Sequence, residues 1–87
     1  MNLQIPEGWT LEPLDRQLKD FALLSTPTPM RYMATIDFKH RGFRGGWTVT
    51  GFYVGELWNK PRKKYVGRGW QQQLVDDAVL HLKGLLA

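Results

Sequence analysis

Residues 39–68 read KHRGFRGGWTVTGFYVGELWNKPRKKYVGR, and this stretch decides the fold that we predict for the chain. It holds eight basic residues and one acid, Glu56, so its formal charge is 8 − 1 = +7. The other positions hold four basic and seven acidic residues, or −3, which gives the net +4 of the whole protein. The eight basic residues of the stretch are Lys39, Arg41, Arg44, Lys60, Arg62, Lys63, Lys64 and Arg68.

The apolar pattern inside this stretch predicts two strands. Residues 47–58 alternate as one long strand if a bulge at Gly51 rotates the chain, because glycine is the usual residue at such a bulge. Residues 63–66 predict a short edge strand, since lysines protect an exposed sheet edge. On this interpretation, the basic residues of the 39–46 loop and of the 59–64 turn lie at opposite ends of the long strand. About ten residues, or ~33 Å, would separate them.

The chain before this stretch predicts one helix and one strand. Residues 30–38 alternate in polarity, with Tyr32, Ala34, Ile36 and Phe38 on one face, as expected of a half-buried strand. Residues 13–24 place apolar side chains at helical spacing after Pro13, a residue that suits the first turn of a helix. We therefore predict a short amphipathic helix over 13–24, an irregular lead-in over 1–12 and a Pro-rich connector over 25–29.

The strongest periodic signal lies at the end of the chain. From about Trp70 to Leu86, apolar residues recur at the spacing of one helix face. This helix should pack on one face of the sheet. The predicted fold is therefore α+β: a three-stranded antiparallel sheet with a C-terminal helix on one face and a short N-terminal helix, in the order α-β-β-β-α. Since the chain has 87 residues, we predict one small domain over 1–87. The members of the apolar stripe are Leu74, Val75, Ala78, Val79, Leu82, Leu85 and Leu86.

One short phrase carries a resemblance to known proteins. Residues 5–14 read IPEGWTLEPL. This phrase resembles the opening of many small phage and prophage early proteins, which begin with a Pro-Glu-Gly-Trp/Tyr-x-Leu-x-Pro pattern. The resemblance covers about ten residues and implies a phage or prophage origin. It implies no activity.

Several classes of function are disfavoured by composition. The chain has no cysteine, which excludes disulfide scaffolds, thiolate metal sites and a cysteine nucleophile, and which suits the reducing cytoplasm that we predict as its location. It has neither an apolar run of membrane-spanning length nor the pattern of a signal peptide. The glycines form neither a P-loop nor a dinucleotide fingerprint. We therefore predict no membrane contact, no cofactor and no metal site.

Catalytic side chains are also scarce. His40 could meet Asp37 at the first hairpin, but a histidine in a loop beside an aspartate is more typical of a solvated pair. Asp76 and Asp77 are adjacent on a helix and so point about 100° apart, which suits solvent-facing charges better than a metal clamp. We predict that the protein is not an enzyme.

The basic residues instead predict a nucleic-acid partner, either DNA or RNA. Lys and Arg release counterions when they contact phosphates, so the eight basic residues of the 39–68 stretch are the predicted binding set. Trp47, Trp58 or Tyr65 could stack on unpaired bases if they are exposed.

A second hypothesis fits the same residues. A small phage-type protein can bind and inhibit a host protein of the defence or replication machinery, and Arg, Trp and Tyr dominate protein interfaces too. A homodimer formed through Leu23, Leu24 or Leu80 also stays open.

Overall fold

The computed structural model describes residues 3–14, 21–27, 32–38, 46–51, 55–59 and 65–86, with 51 and 55–59 described by their backbone. Five strands precede one helix in this part of the chain. The elements are β1 (Thr10–Pro13), β2 (Phe21–Ser25), β3 (Tyr32–Asp37), β4 (Gly46–Gly51), β5 (Gly55–Asn59) and α1 (Trp70–Leu86).

The five strands form one antiparallel sheet in the order β1-β2-β3-β4-β5, so each strand pairs with its neighbours in sequence. One row of paired residues crosses all five strands, and it fixes the register of the sheet. This row is Pro13, Ala22, Ile36, Trp47 and Asn59.

The core lies between one face of the sheet and α1. Ala34 and Ile36 on β3 and Val49 on β4 alternate with more exposed neighbours and are fully buried, because α1 packs on β3 and β4. The predicted C-terminal helix and its apolar stripe are confirmed over residues 70–86. The buried members of the stripe are Leu74, Val75, Ala78, Val79 and Leu82.

The chain is α+β, but the predicted order α-β-β-β-α is wrong. The predicted helix over 13–24 is contradicted, because Pro13 ends β1 and Phe21–Ser25 form β2. Leu24 is buried and pairs with Ala34 of β3, whereas Leu23 points to the opposite face. An isolated helix of about twelve residues is marginal in water, so the pairing of β2 with two neighbouring strands outweighs the local helical spacing.

The long bulged strand predicted over 47–58 is also wrong. The chain forms two strands here, β4 and β5, and Gly51 pairs with Gly55 across them. Gly51 therefore ends a strand beside a reversal of direction. Trp47 and Val49 face the core, whereas residues 52–54 lie outside the described residues.

Three smaller predictions change as well. Residues 10–12 of the predicted lead-in belong to β1, and Ser25 of the predicted connector ends β2. The edge strand predicted over 63–66 is contradicted at Tyr65 and Val66, which are not in a strand, and its first half lies outside the described residues. No helix in the described ranges is long and apolar enough to cross a membrane.

The phage-like phrase forms a turn followed by β1. The amide of Trp9 donates to the carbonyl of Pro6 over 3.1 Å, and Gly8 at the third position has a φ of 85°, as a type II turn requires. Trp9 packs against the core. The side chain of Gln72 on α1 holds the lead-in, because its amide group bonds both the N–H and the carbonyl of Gln4, over 2.7 and 2.8 Å.

Candidate nucleic-acid interface

Of the eight predicted binding residues, the structure describes Arg68. It is exposed and lies in the turn that leads into α1. The other seven fall in two segments, 39–45 and 60–64, which lie outside the described residues. The strands that flank these segments are described, and they fix where each segment joins the sheet.

Both basic segments join the sheet at the same end. Segment 39–45 connects the end of β3 to Gly46 at the start of β4, and these two strands pair with Asp37 opposite Gly46. Segment 60–64 follows Asn59, which pairs with Trp47, the residue after Gly46. The expected separation of ~33 Å is therefore wrong. Since neighbouring strands lie about 5 Å apart, the points of attachment span about 10 Å, from β3 to β5.

The two ends of the sheet differ strongly in charge. We call the end formed by Pro13, Phe21, Asp37, Gly46 and Asn59 the basic end. Segments 39–45 and 60–64 bring it three and four basic residues, whereas segment 15–20 brings two bases and two acids. At the opposite end, segments 26–31 and 52–54 bring one basic residue, Arg31. The sheet topology therefore attaches segments with nine of the twelve basic residues at one end, and seven of these nine lie in segments 39–45 and 60–64.

The start of α1 lies at this end too. Phe38, which directly precedes segment 39–45, packs edge-to-face against Trp70, with ring centroids 6.5 Å apart. Trp70 is the first residue of α1, and the first turn of this helix contains no acidic residue. The positive end of the helix dipole, equivalent to about half an elementary charge, thus adds to the charge of the basic end.

A second aromatic residue joins the other basic segment to α1. Tyr65 directly follows segment 60–64, is 0% exposed, and donates a hydrogen bond of 2.6 Å from its hydroxyl to Oδ2 of Asp77. Burial, this hydrogen bond and the charge of the carboxylate raise the pKa of Tyr65 far above its ordinary value of 10.0. Asp77 is therefore not the predicted solvent-facing charge, because it accepts a hydrogen bond from a buried phenol. Its spacing on the helix gave no signal of this role.

The burial of two aromatic residues changes the predicted chemistry. Trp47 is 5% exposed and packs beside His81, with ring centroids 6.0 Å apart. Tyr65 is fully buried. The hypothesis that Trp47 or Tyr65 stacks on bases is therefore wrong, and both belong to the core. The side chain of Trp58, the third candidate, lies outside the described residues.

The described strands place no cationic residue on the sheet face opposite α1. The described strands contain no Lys or Arg, and three acids, Glu12, Asp37 and Glu56, lie at register positions of this face. Between them the face carries hydroxyl side chains such as Thr35 and Thr48, which are opposite one another. The charged residues of the described strands are therefore all acidic.

The side chains considered for catalysis do not converge within the described ranges. His40 lies outside them. Asp76 is exposed and accepts a hydrogen bond of 2.8 Å from Gln72, whereas Asp77 accepts from Tyr65. Among the residues that the structure describes, no group of three His, Cys, Asp or Glu side chains could hold a metal ion.

Comparison with protein-family models, with curated proteins and with solved structures finds no match to this chain.

Proposed function

We propose that this protein binds nucleic acid through the basic end of its sheet and is a small basic protein of phage or prophage origin. One observation carries the proposal: the meander brings segments 39–45 and 60–64 to the same end, beside the start of α1. Because both segments attach at this end, we expect their seven basic residues to form one charged surface, where the sequence had suggested two distant ones. The proposed binding residues are Lys39, Arg41, Arg44, Lys60, Arg62, Lys63, Lys64 and Arg68.

The physical basis is the phosphate backbone. Each Lys or Arg that contacts a phosphate releases a condensed counterion, so affinity should fall steeply with salt. Arg68 is exposed at the start of α1, where it adds to the positive end of the helix dipole. The lack of cysteine suits the reducing cytoplasm that we propose as the compartment.

The proposal is tested by binding to labelled nucleic acid at about 50 mM salt, followed by a salt titration. The Arg41→Ala/Arg44→Ala and Lys63→Ala/Lys64→Ala variants should each weaken binding and lower the salt slope by about 1.8, because each loses two phosphate contacts. The Arg31→Ala/Lys83→Ala variant is the matched control. It removes the same formal charge away from the basic end and should change the slope little.

A failure to bind any duplex or single strand at low salt would overturn the proposal. In that case, recovery of one stoichiometric protein from a nuclease-treated bacterial lysate would favour the host-protein hypothesis. An equal effect of all three double variants would show that total charge matters and that the basic end does not.

A further inference from the structure

The exposed residues of α1 all lie on one face of the helix, which we call the outer face. It is centred on Leu80, which is 69% exposed and is the most exposed of the large apolar side chains that the structure describes. Since successive residues of a helix turn by about 100°, the other exposed residues lie within about 60° of Leu80 around the axis. They are Gln73, Asp76, Lys83 and Gly84.

Two opposite charges flank Leu80 without pairing within the helix. Asp76 precedes Leu80 by one turn and Lys83 follows it by one turn, so the two charged residues are about 10.5 Å apart along the axis. Ion pairs on a helix surface join residues that are three or four positions apart. None of the residues at these distances from Asp76 or Lys83 is charged. The helix itself therefore supplies neither charge with a counter-charge.

The outer face is complementary to itself when two copies of α1 are antiparallel. A two-fold axis beside Leu80 brings the two Leu80 side chains together and places Asp76 of each copy opposite Lys83 of the other. Asp76 and Lys83 lie on the same side of Leu80, about 40° and 60° from it, and antiparallel helices bring like sides together. Parallel helices bring unlike sides together, so Asp76 would then face Asp77, which has the same charge.

Gly84 leaves room for a second helix beside Leu80. It has no positive φ, and a Cβ there would meet nothing within 4 Å, so neither its conformation nor packing within the described residues requires glycine. A glycine lets another backbone approach closely, and packed helices lie about 8–10 Å apart. The outer face spans only about three turns. Its contact area therefore belongs with the weak interfaces that bury less than about 1,200 Å².

We propose that two copies of this chain associate through the outer face of α1, with the two helices antiparallel. Leu80 packs against Leu80, and Asp76 faces Lys83 at both ends of the contact. A second copy is the partner that fits, because opposite charges placed evenly about an apolar centre complement the same surface turned by 180°. The dimer should form above about 100 µM. It needs no nucleic acid and is independent of the basic end.

Analytical ultracentrifugation of the nuclease-treated intact protein, from about 10 µM to about 1 mM, tests this proposal. Leu80→Ala should raise the dissociation constant about tenfold or more, because the central contact loses both leucines. Met33→Ala is the matched control, because Met33 is an exposed apolar residue, 43% accessible, on the sheet face opposite α1. It should leave the dissociation constant unchanged. Circular dichroism at low concentration should show that both variants are folded.

Charge reversal tests the orientation of the two helices. Asp76→Lys and Lys83→Asp should each weaken association about tenfold or more, because like charges then face each other at both ends. An equimolar mixture of these two variants should associate again, since each variant supplies the charge that the other lacks. The double variant Asp76→Lys/Lys83→Asp should also associate as the original protein does.

Four results would overturn the proposal. The protein could remain monomeric at about 1 mM. Leu80→Ala could leave a dimer unchanged, or Met33→Ala could weaken it as strongly, which would place the interface on the sheet. Finally, the mixture of the two charge variants could stay monomeric, which would exclude the antiparallel arrangement.

Discussion

The hydroxyl of Tyr65 donates a hydrogen bond of 2.6 Å to Oδ2 of Asp77, and this contact joins the residue after the second basic segment to α1. Asn59, the residue before that segment, is paired with Trp47 in the sheet. Segment 60–64 is therefore anchored at one end by the sheet and at the other by the core beneath the helix.

Removal of this hydrogen bond should destabilise the protein without creating a cavity in the core. Tyr65→Phe keeps the buried ring and loses a hydrogen bond to a charged group, so the free energy of unfolding should fall by about 1.5 kcal/mol. Urea denaturation measures this change. Asp76→Asn is the matched control, because Asp76 is exposed and adjacent; it should change stability by less than about 0.5 kcal/mol. Equal losses in both variants would contradict the role of Asp77.

Stability should also depend on alkaline pH through Tyr65. Burial, the hydrogen bond to Asp77 and its charge raise the pKa of Tyr65 in the folded state above the ordinary value of 10.0. The unfolded chain therefore loses this proton first. The contribution of Tyr65 to the free energy of unfolding is therefore fully present below pH 10. It declines as the pH rises above 10, by up to about 1.4 kcal/mol per pH unit. Tyr65→Phe should flatten this decline in urea titrations. An unchanged pH dependence would show that other groups cause it.

The indole N–H of Trp47 is buried, and the described residues offer it no hydrogen-bond acceptor. A buried donor without an acceptor lowers the free energy of unfolding by about 1–3 kcal/mol. Its removal in Trp47→Phe should therefore offset much of the stability that is lost with the smaller ring. We expect Trp47→Phe to cost less than about 1 kcal/mol, and Trp47→Ala about 3–5 kcal/mol. Chemical denaturation of both variants checks this. Similar losses for the two would indicate that the N–H is satisfied in solution.

Leu80 and Leu82 make a matched pair on α1. Leu82 is fully buried, and Leu82→Ala should cost about 2–5 kcal/mol. Leu80 is 69% exposed, so Leu80→Ala should stay within about 0.5 kcal/mol in the monomer. Thermal unfolding at several protein concentrations tests both. A large, concentration-dependent effect of Leu80→Ala would instead support a homodimer formed through this side chain.

Alanine substitutions at Gly67 and Gly69 distinguish the cost of backbone strain from the cost of steric overlap. Gly67 has a φ of 87°, and a Cβ there would meet nothing within 4 Å, so Gly67→Ala should cost about 1–2 kcal/mol through its conformation alone. Gly69 has equally free space and no positive φ, but it is the N-cap of α1, where glycine is preferred to alanine, so Gly69→Ala should cost only about 0.5 kcal/mol. Urea denaturation measures both. If the two variants are equally destabilised, the left-handed conformation of Gly67 is not the cause.

Several parts of the fold could be predicted because their signals are local. The helix 70–86 has a long apolar stripe, and β3 alternates so that Ala34 and Ile36 face the core. The strand Phe21–Ser25 could not be predicted in this way. Leu23 and Leu24 are compatible with a helix, and they are equally compatible with a strand whose successive side chains face opposite sides of the sheet. Gly51 was equally ambiguous, because glycine is typical of both a bulge and the end of a strand.

The sequence alone determined the composition of the candidate site: eight basic residues within 39–68 and one acid. Tertiary structure decided where the two segments that carry seven of them join the sheet. The reversal between Gly51 and Gly55 returns the chain to the start of β4, so Asn59 pairs with Trp47 and segment 60–64 attaches beside segment 39–45. It also decided that Trp47 and Tyr65 are core residues. Charge is a property of each residue, but adjacency and burial arise from strand pairing and from the packing of α1, which join residues distant in the chain.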